Sequence, residues 1–172
     1  MSIIKNILVL SIVVLPFITN AQSNDYKVRK CYGYQRDSCP VSANIYYKLH
    51  EDSRSALFVK GQTSQTIIDI YNGRDYRISL CWDPVLGGRM GFKILDRETN
   101  DVLYDNSTDE FASEFEFTVT QSREIVVEIS VQGESDLSKA TGNEELIIIR
   151  KDREMGCVGV LVEHMITPSK GF

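Results

Sequence analysis

The sequence predicts an all-β fold: an antiparallel β-sandwich or jelly roll of about eight strands, after a cleaved signal peptide. Apolar and polar residues alternate over short segments, and this period of two is typical of half-buried strands. Turn signals separate the segments about every 8–12 residues, a spacing that favours a sandwich. The sequence contains no internal repeat and no long amphipathic helix.

The first 21 residues have the three-part pattern of a secretory signal peptide. Lys5 precedes an apolar run over residues 7–18, and Thr19, Asn20 and Ala21 form a small-residue exit. The run is shorter than the about 20 residues that a membrane-spanning helix needs. We therefore expect cleavage after Ala21 and an exported, soluble protein, periplasmic or extracellular, with no membrane span. No cysteine lies at the cleavage site, where a lipid would be attached, and the first one is Cys31, so no lipid anchor is expected.

Composition limits the classes of partner. The chain has 24 acidic and 19 basic residues, a net charge of −5, and no basic run. Nucleic-acid binding depends on Lys and Arg to neutralise phosphates, so nucleic acid is not expected as a partner. After the signal peptide, we expect an N-terminal segment over residues 22–40 and one sandwich domain over residues 41–172.

Four cysteines in an exported chain favour disulfides. We favour a local bridge between Cys31 and Cys39 and a long-range bridge between Cys81 and Cys157. The sequence leaves the two other pairings open, because connectivity does not follow from spacing. Zinc is disfavoured, since the cysteines do not form close pairs.

The strand-like segments follow one another with clear breaks. Two hairpins are predicted, one joining residues 66–71 to 75–82 through Asn72-Gly73, the other ending in residues 102–105. Residues 41–49 fit a strand or a helix face, with a slight preference for strand, and residues 51–58 could hold a helical turn. A polar loop is expected over residues 133–144. The eight predicted strands cover residues 66–71, 75–82, 90–94, 102–105, 115–119, 125–131, 146–149 and 157–165.

An acidic stretch suggests a calcium site. Residues 96–116 contain eight acids and a single base, Arg97. Calcium takes six to eight oxygen ligands, which loops of secreted β-sandwiches can supply. The candidate ligands are Asp101, Asp105, Asn106 and Asp109, although their order differs from that of a standard calcium loop. The alternative is that acids at every second position mark the solvent face of a strand, as Glu114 and Glu116 would.

Aromatic residues near the first cysteines are candidates for ligand binding, since sugar-binding modules stack rings on sugar faces. The surface candidates are Tyr32, Tyr34, Tyr46 and Tyr47. Tyrosines on alternating rows, such as Tyr76, are better explained by core packing.

No catalytic constellation is evident. His50 lies in a charged stretch and is interpreted as a solvated surface residue, and His164 as a polar residue near a strand end. The sequence has no Gly-x-Ser-x-Gly elbow, His-Glu-x-x-His pair or phosphate loop. We therefore expect no enzyme activity and no cofactor other than calcium. Paired carboxylates of a glycosidase type would not be visible in one sequence.

Three segments carry a resemblance to known proteins. GRDYRISLC (73–81), VLYDN (102–106) and GCVGVLVEHM (156–165) resemble uncharacterised exported β-sandwich proteins of Bacteroidetes-type bacteria. More distantly, residues 58–131 resemble the pre-peptidase C-terminal type of jelly roll found beside secreted hydrolases. The resemblance implies a non-catalytic accessory β-domain and supplies no site residues.

The leading hypothesis is therefore a non-catalytic exported β-sandwich that binds another envelope or extracellular protein through its surface loops. The alternative is a carbohydrate- or calcium-binding module. A third hypothesis is a hydrolase that uses paired carboxylates.

Overall fold

The computed structural model describes residues 30–133 and 155–169, and these residues form a β-sandwich. Within these ranges there are nine strands, one short α-helix and two 3₁₀ turns, Pro84–Leu86 and Asn106–Thr108. None of the helices in this part of the chain has the length and apolar character to cross a membrane. The helix is α1 (Tyr34–Ser38), and the strands are β1 (Lys48–Leu49), β2 (Arg54–Val59), β3 (Thr63–Ile70), β4 (Arg74–Trp82), β5 (Met90–Asp96), β6 (Val102–Asp105), β7 (Glu114–Val119), β8 (Arg123–Val131) and β9 (Met155–Ile166).

Two antiparallel sheets make up the sandwich. In the first sheet, β1 and β2 both pair with one edge of β9, and β4 and then β7 follow on its other side. The second sheet has the order β3-β8-β5-β6. From β2 to β9 each strand lies in the other sheet from the strand before it, except that β5 and β6 share a sheet. The early strands β1 and β2 are neighbours of the last strand, β9. This interleaved order is that of a jelly roll, which confirms the predicted fold class.

The core lies between the sheets and is built from the alternating rows. In β4 the side chains of Tyr76, Ile78 and Leu80 are at most 2% exposed, and Trp82 packs against the same cluster. The second sheet supplies the opposite wall, in which every second residue of β5 and β8 is buried. The inward row predicted for residues 75–82 is therefore confirmed.

The outer face of the first sheet is also covered. Residues 31–42 lie across it, and α1 packs there against β2, β4 and β9. Gly159 makes this close packing possible, because a Cβ at that position would lie 2.8 Å from Cys81 Sγ and from Gln35 Cα. Arg77 and Ser79, on the outward row of β4, are consequently buried.

All four cysteines form disulfides, but the favoured pairing is wrong. Cys31 bonds to Cys157, and Cys39 bonds to Cys81. Cys31 and Cys39 flank α1, and each meets the strand cysteine beneath it instead of the other. The expected local bridge within residues 22–40 is thus replaced by two bridges that tie this segment to the sheet.

Several local predictions need correction. The segments around Asn72-Gly73 do not form a hairpin, because β3 belongs to one sheet and β4 to the other. Gly73, at φ +74°, allows the sharp turn that carries the chain from one sheet to the other.

The second predicted hairpin, β5–β6, is confirmed. Only Lys48–Leu49 of residues 41–49 form a strand, and much of residues 51–58 belongs to β2 instead of a helical turn.

Three predicted segments fall outside the described ranges. These are the signal peptide at residues 1–21, the strand at residues 146–149, and the loop at residues 133–144 except Gly133.

Candidate functional site

The candidate site is at the end of the sandwich where β9 finishes. Residues 41–49, here called the 41–49 loop, pass over this end and are held at several points. The Cys39–Cys81 disulfide fixes its start, and the Ser42 amide donates to the carboxylate of Glu163 at 3.0 Å. Pairing of β1 with β9 fixes its end. A loop held in this way is preorganised for contact with a ligand or partner.

A pocket of about 650 Å³ opens between this loop and the end of β9. The pairing register of the strands determines which side chains meet in this pocket. Arg74 is opposite Ile166, and Lys48 is opposite His164. Directly paired residues project to the same face of a sheet, so these four side chains share the inner face beyond the core. The lining consists of Asn44, Tyr46, Lys48, Arg74, His164, Met165, Ile166 and Pro168.

Arg74 and His164 form the polar part of the pocket. Their Nη1 and Nδ1 atoms are 2.6 Å apart. A guanidinium has no acceptor, so Arg74 donates and Nδ1 of His164 accepts. Burial lowers the pKa of His164, and electrostatic interactions with Arg74, His50 and Lys48 lower it further. The imidazole is therefore held in its neutral form, as this hydrogen bond requires.

Buried aromatic groups support His164 from below. The His50 ring is 5.2 Å from the His164 ring in an edge-on arrangement, and Tyr76 is 5.8 Å from each of them. His50 is only 5% exposed, so its predicted solvated position is wrong. Its Nδ1 accepts from the Asp52 amide, and the Tyr76 hydroxyl accepts from the Tyr71 amide. These contacts fix the floor of the pocket.

The pocket is cationic. Within the described part of the chain, Arg74 and Lys48 have no carboxylate within salt-bridge distance, whereas Arg77, Arg97 and Arg123 do. Arg74 instead lies over the Tyr71 ring, 5.5 Å from its centroid. Among the residues that the structure describes, none that lines the pocket is acidic. The two cations are thus available to an anionic group.

Exposed apolar side chains border the pocket. Ile45, Tyr46 and Ile166 are 87%, 72% and 82% exposed, and we call these three residues the apolar rim. Large apolar groups on a fixed surface are typical of contact sites for other molecules. For Ile45 and Tyr46 the sequence signal is the run Ile45-Tyr46-Tyr47, whose composition favours a strand and so does not reveal the exposed loop.

The four candidate tyrosines are not brought together in this pocket. Tyr46 lines it, and Tyr47 lines a neighbouring recess of about 280 Å³ together with Asp75 and Glu116. Burial raises the pKa of Tyr47, and the charges of Glu116 and Asp75 add to this effect. Tyr32 is 91% exposed, while burial and Asp83 raise the pKa of the partly buried Tyr34.

The four candidate calcium ligands make hydrogen bonds or ion pairs with protein groups. Asp101 accepts from Thr99, Asp105 caps the Ser107 amide and pairs with Lys93, and Asp109 accepts from the Tyr104 hydroxyl. The amide of Asn106 is buried against the main chain of Met90 and Phe92. In the described ranges, no group of three or more His, Cys, Asp or Glu residues is arranged to hold a metal. The calcium site stays a prediction.

A second cluster of charges lies on the outer face of the first sheet. Arg77 forms a buried ion pair with Glu163 at 2.5 Å and contacts Glu114 at 2.8 Å. It also donates to the Pro40 carbonyl. Sequence reasoning missed this cluster, because Arg77 falls on the row that period-two alternation assigns to solvent. The cluster joins the covering segment to the sheet.

Comparisons with known proteins give little similarity. No protein-family model matches the chain, and no curated protein is similar to it. Among solved structures, it is similar to Aeromonas hydrophila PliG, a periplasmic lysozyme inhibitor of g-type lysozyme. The TM-score is 0.41 at 8% identity, covering 73% of this chain and 92% of that one. What this chain binds is therefore inferred from its own surface.

Proposed function

We propose that this chain is a non-catalytic exported protein that binds another envelope or extracellular protein through the apolar rim and the pocket beside it. The observation that carries the proposal is the exposure of Ile45 and Tyr46, on a loop that is fixed at both ends, and of Ile166 beside them at the end of β9. Leaving such side chains in water has a cost, which burial against a partner removes. Fixing the loop in advance reduces the entropy lost on binding.

Export is supported by the disulfides and by the predicted signal peptide. Both bridges join residues far apart in sequence, with separations of 126 and 42. Stable structural disulfides form in oxidising compartments such as the periplasm or the extracellular space.

A non-catalytic role is supported by how the histidines are used. Nδ1 of His164 is occupied by Arg74, and Nδ1 of His50 by the Asp52 amide. The buried carboxylate of Glu163 is likewise committed to Arg77 and Ser42. Hydrogen bonds also lower the pKa of Asp96 and Asp105, mainly those from Thr99 and Glu98 to Asp96 and from Ser107 to Asp105. A general acid needs a shift in the opposite direction.

Site-specific photo-crosslinking tests the proposal. A photoreactive amino acid is placed at Ile45 or Ile166, and the protein is irradiated in the envelope and medium of its source cells. The matched control is Leu103, which is 43% exposed on the second sheet. We expect both rim positions to trap the same protein and the control to trap none. Equal products from Leu103, or no product from either rim position, would refute the proposal.

A further inference from the structure

The pocket has the size and the lining of a ligand site. Its volume of about 650 Å³ is within the range of about 300–1,000 Å³ typical of such sites. Residues from four places meet there: Tyr46 from the 41–49 loop, Lys48 from β1, Arg74 from β4 and the end of β9. A concave surface with few polar groups, convergent in position, is the usual form of a specific binding pocket.

The charges select an anion. Arg74 and Lys48 bring two positive groups into a protein whose net charge is −5. His164 adds no charge while it accepts from Arg74. This bond uses one of the five guanidinium N–H donors of Arg74. Within the described residues the other four have no hydrogen-bond partner, so they can form a fork with a planar anion. A carboxylate matches that geometry.

The walls select an apolar group next to the anion. Ile166, Met165, Pro168 and the ring of Tyr46 form most of the remaining lining. A small inorganic anion would leave these side chains in contact with water. A neutral apolar ligand would cover the two cations without pairing them, which costs free energy. A carboxylate attached to a bulky apolar group satisfies both parts.

We propose that this pocket binds an apolar carboxylate, presented by the partner protein as its C-terminal residue. A C-terminal residue carries its carboxylate and its side chain on the same Cα atom, so both groups enter one pocket together. Capture of a C-terminal carboxylate is a known mode of peptide recognition, and here the side chains of Arg74 and Lys48 would supply the donors. That the carboxylate belongs to a partner's C-terminus rests on the proposed function. That the ligand is an apolar carboxylate rests on the pocket alone.

Titration with small probes tests the ligand chemistry. N-acetyl-phenylalanine and N-acetyl-phenylalaninamide have the same apolar part and differ only in the terminal group, a charged carboxylate in the first and a neutral carboxamide in the second. Using ¹⁵N-labelled protein lacking residues 1–21, we expect the acid to shift the signals of Arg74, Lys48 and Ile166. We also expect its affinity to be at least about ten times that of the amide, because charge-assisted bonds to Arg are lost in the amide. Equal affinities would overturn the proposal.

Variants locate the binding. Arg74→Gln is expected to weaken binding of the acid at least about tenfold and to leave the weak binding of the amide unchanged. The matched control is Arg97→Gln, which removes an exposed arginine paired with Glu124 in a different recess. Binding of the acid by Arg74→Gln at the affinity of the unmodified protein would refute the assignment. Far-UV circular dichroism shows whether each variant is folded, and Arg74→Lys, which keeps the charge, should recover part of the affinity.

A further comparison identifies the source of the carboxylate. If the carboxylate belongs to a partner's C-terminus, the residues before it would pass over the apolar rim, so acetyl-Gly-Gly-Phe with a free C-terminus should bind at least about threefold more tightly than N-acetyl-phenylalanine. Equal affinity would overturn the assignment to a partner's C-terminus and indicate a free small acid. The two results are distinguishable: crosslinks without carboxylate binding would contradict only this inference. Carboxylate binding without crosslinks would contradict the proposed function and, with it, a partner's C-terminus as the source, and would leave the apolar carboxylate as the ligand of the pocket.

Discussion

The guanidinium of Arg74 donates to Nδ1 of His164 across 2.6 Å at the mouth of the pocket. This bond joins β4 to β9 and orients both side chains towards the same opening. It also requires a neutral imidazole with its proton on Nε2, since a guanidinium has no acceptor. The positive charge of the pocket is therefore supplied by Arg74 and Lys48, and protonation of His164 at Nδ1 would break its hydrogen bond with Arg74.

The pH dependence of stability should report on His164. Its pKa is lowered in the folded protein by burial and by Arg74, His50 and Lys48, from about 6.5 in the unfolded chain. Between these two values the unfolded chain binds more protons, so stability rises with pH. The contribution is complete above about pH 6.5 and is lost as pH falls through the folded pKa.

Urea denaturation of the unmodified protein and of His164→Asn, measured from pH 8 to pH 5, tests this prediction. The asparagine retains an acceptor and does not titrate. We expect the free energy of unfolding to fall less steeply with decreasing pH in the variant. Identical slopes would show that His164 does not contribute to the pH dependence.

Removing one partner of the buried ion pair should be strongly destabilising. Arg77 and Glu163 have side chains that are 5% and 8% exposed, and Arg77→Met leaves the carboxylate with the Ser42 amide as its remaining partner. We expect the free energy of unfolding to fall by about 3–5 kcal/mol. The control is Lys93→Met, which breaks an ion pair whose lysine is 41% exposed and should cost less than about 1 kcal/mol.

The double variant Arg77→Met/Glu163→Met completes this test. It removes both charges together and should recover part of the loss. A cost for Arg77→Met as small as that of Lys93→Met would contradict the buried pairing.

Mass spectrometry of the non-reduced protein should identify the disulfides directly. Peptides containing Cys31 and Cys157 should be linked, and so should those containing Cys39 and Cys81. The Cys39→Ala/Cys81→Ala variant should lose about 2–4 kcal/mol of stability, the typical contribution of such a bridge. Linkage of Cys31 to Cys39 would show that the segment is not tied to the sheet.

Gly159 should not tolerate a side chain. An added Cβ would lie 2.8 Å from both Cys81 Sγ and Gln35 Cα, so α1 would have to move away from the sheet. We expect Gly159→Ala to cost about 1–3 kcal/mol in urea denaturation. Gly88→Ala is the control, because a Cβ there meets nothing within 4 Å, and a similar cost for both variants would contradict the close packing.

The fold could be predicted from the sequence because period-two alternation directly reports which residues face a core. The row Tyr76, Ile78, Leu80 is buried as its spacing indicates. Alternation does not report which strand lies beside which. Two strands joined by Asn72-Gly73 show the same pattern whether they pair in one sheet or cross between two, and for this reason the first predicted hairpin was wrong.

The covering segment could not be predicted, because its contacts are long-range. The contacts of Ser42 with Glu163 and of Pro40 with Arg77 depend on where β4 and β9 place their side chains in the folded sheet. The same packing determines the disulfides. The pocket was missed for a related reason: Lys48, Arg74 and Ile166 are distant in sequence, and strand register brings them to one face.

The most direct test of the proposed function is the affinity for the crosslinked partner, measured with two matched double variants. Ile45→Ser/Tyr46→Ser removes two residues of the apolar rim, whereas Val102→Ser/Leu103→Ser removes two neighbouring exposed apolar residues from the second sheet. We expect the rim variant to raise the Kd at least about tenfold, equivalent to about 1.4 kcal/mol, and the control to change it less than about twofold. An unchanged Kd for the rim variant, or an equal increase for both, would contradict binding through the end of the sandwich.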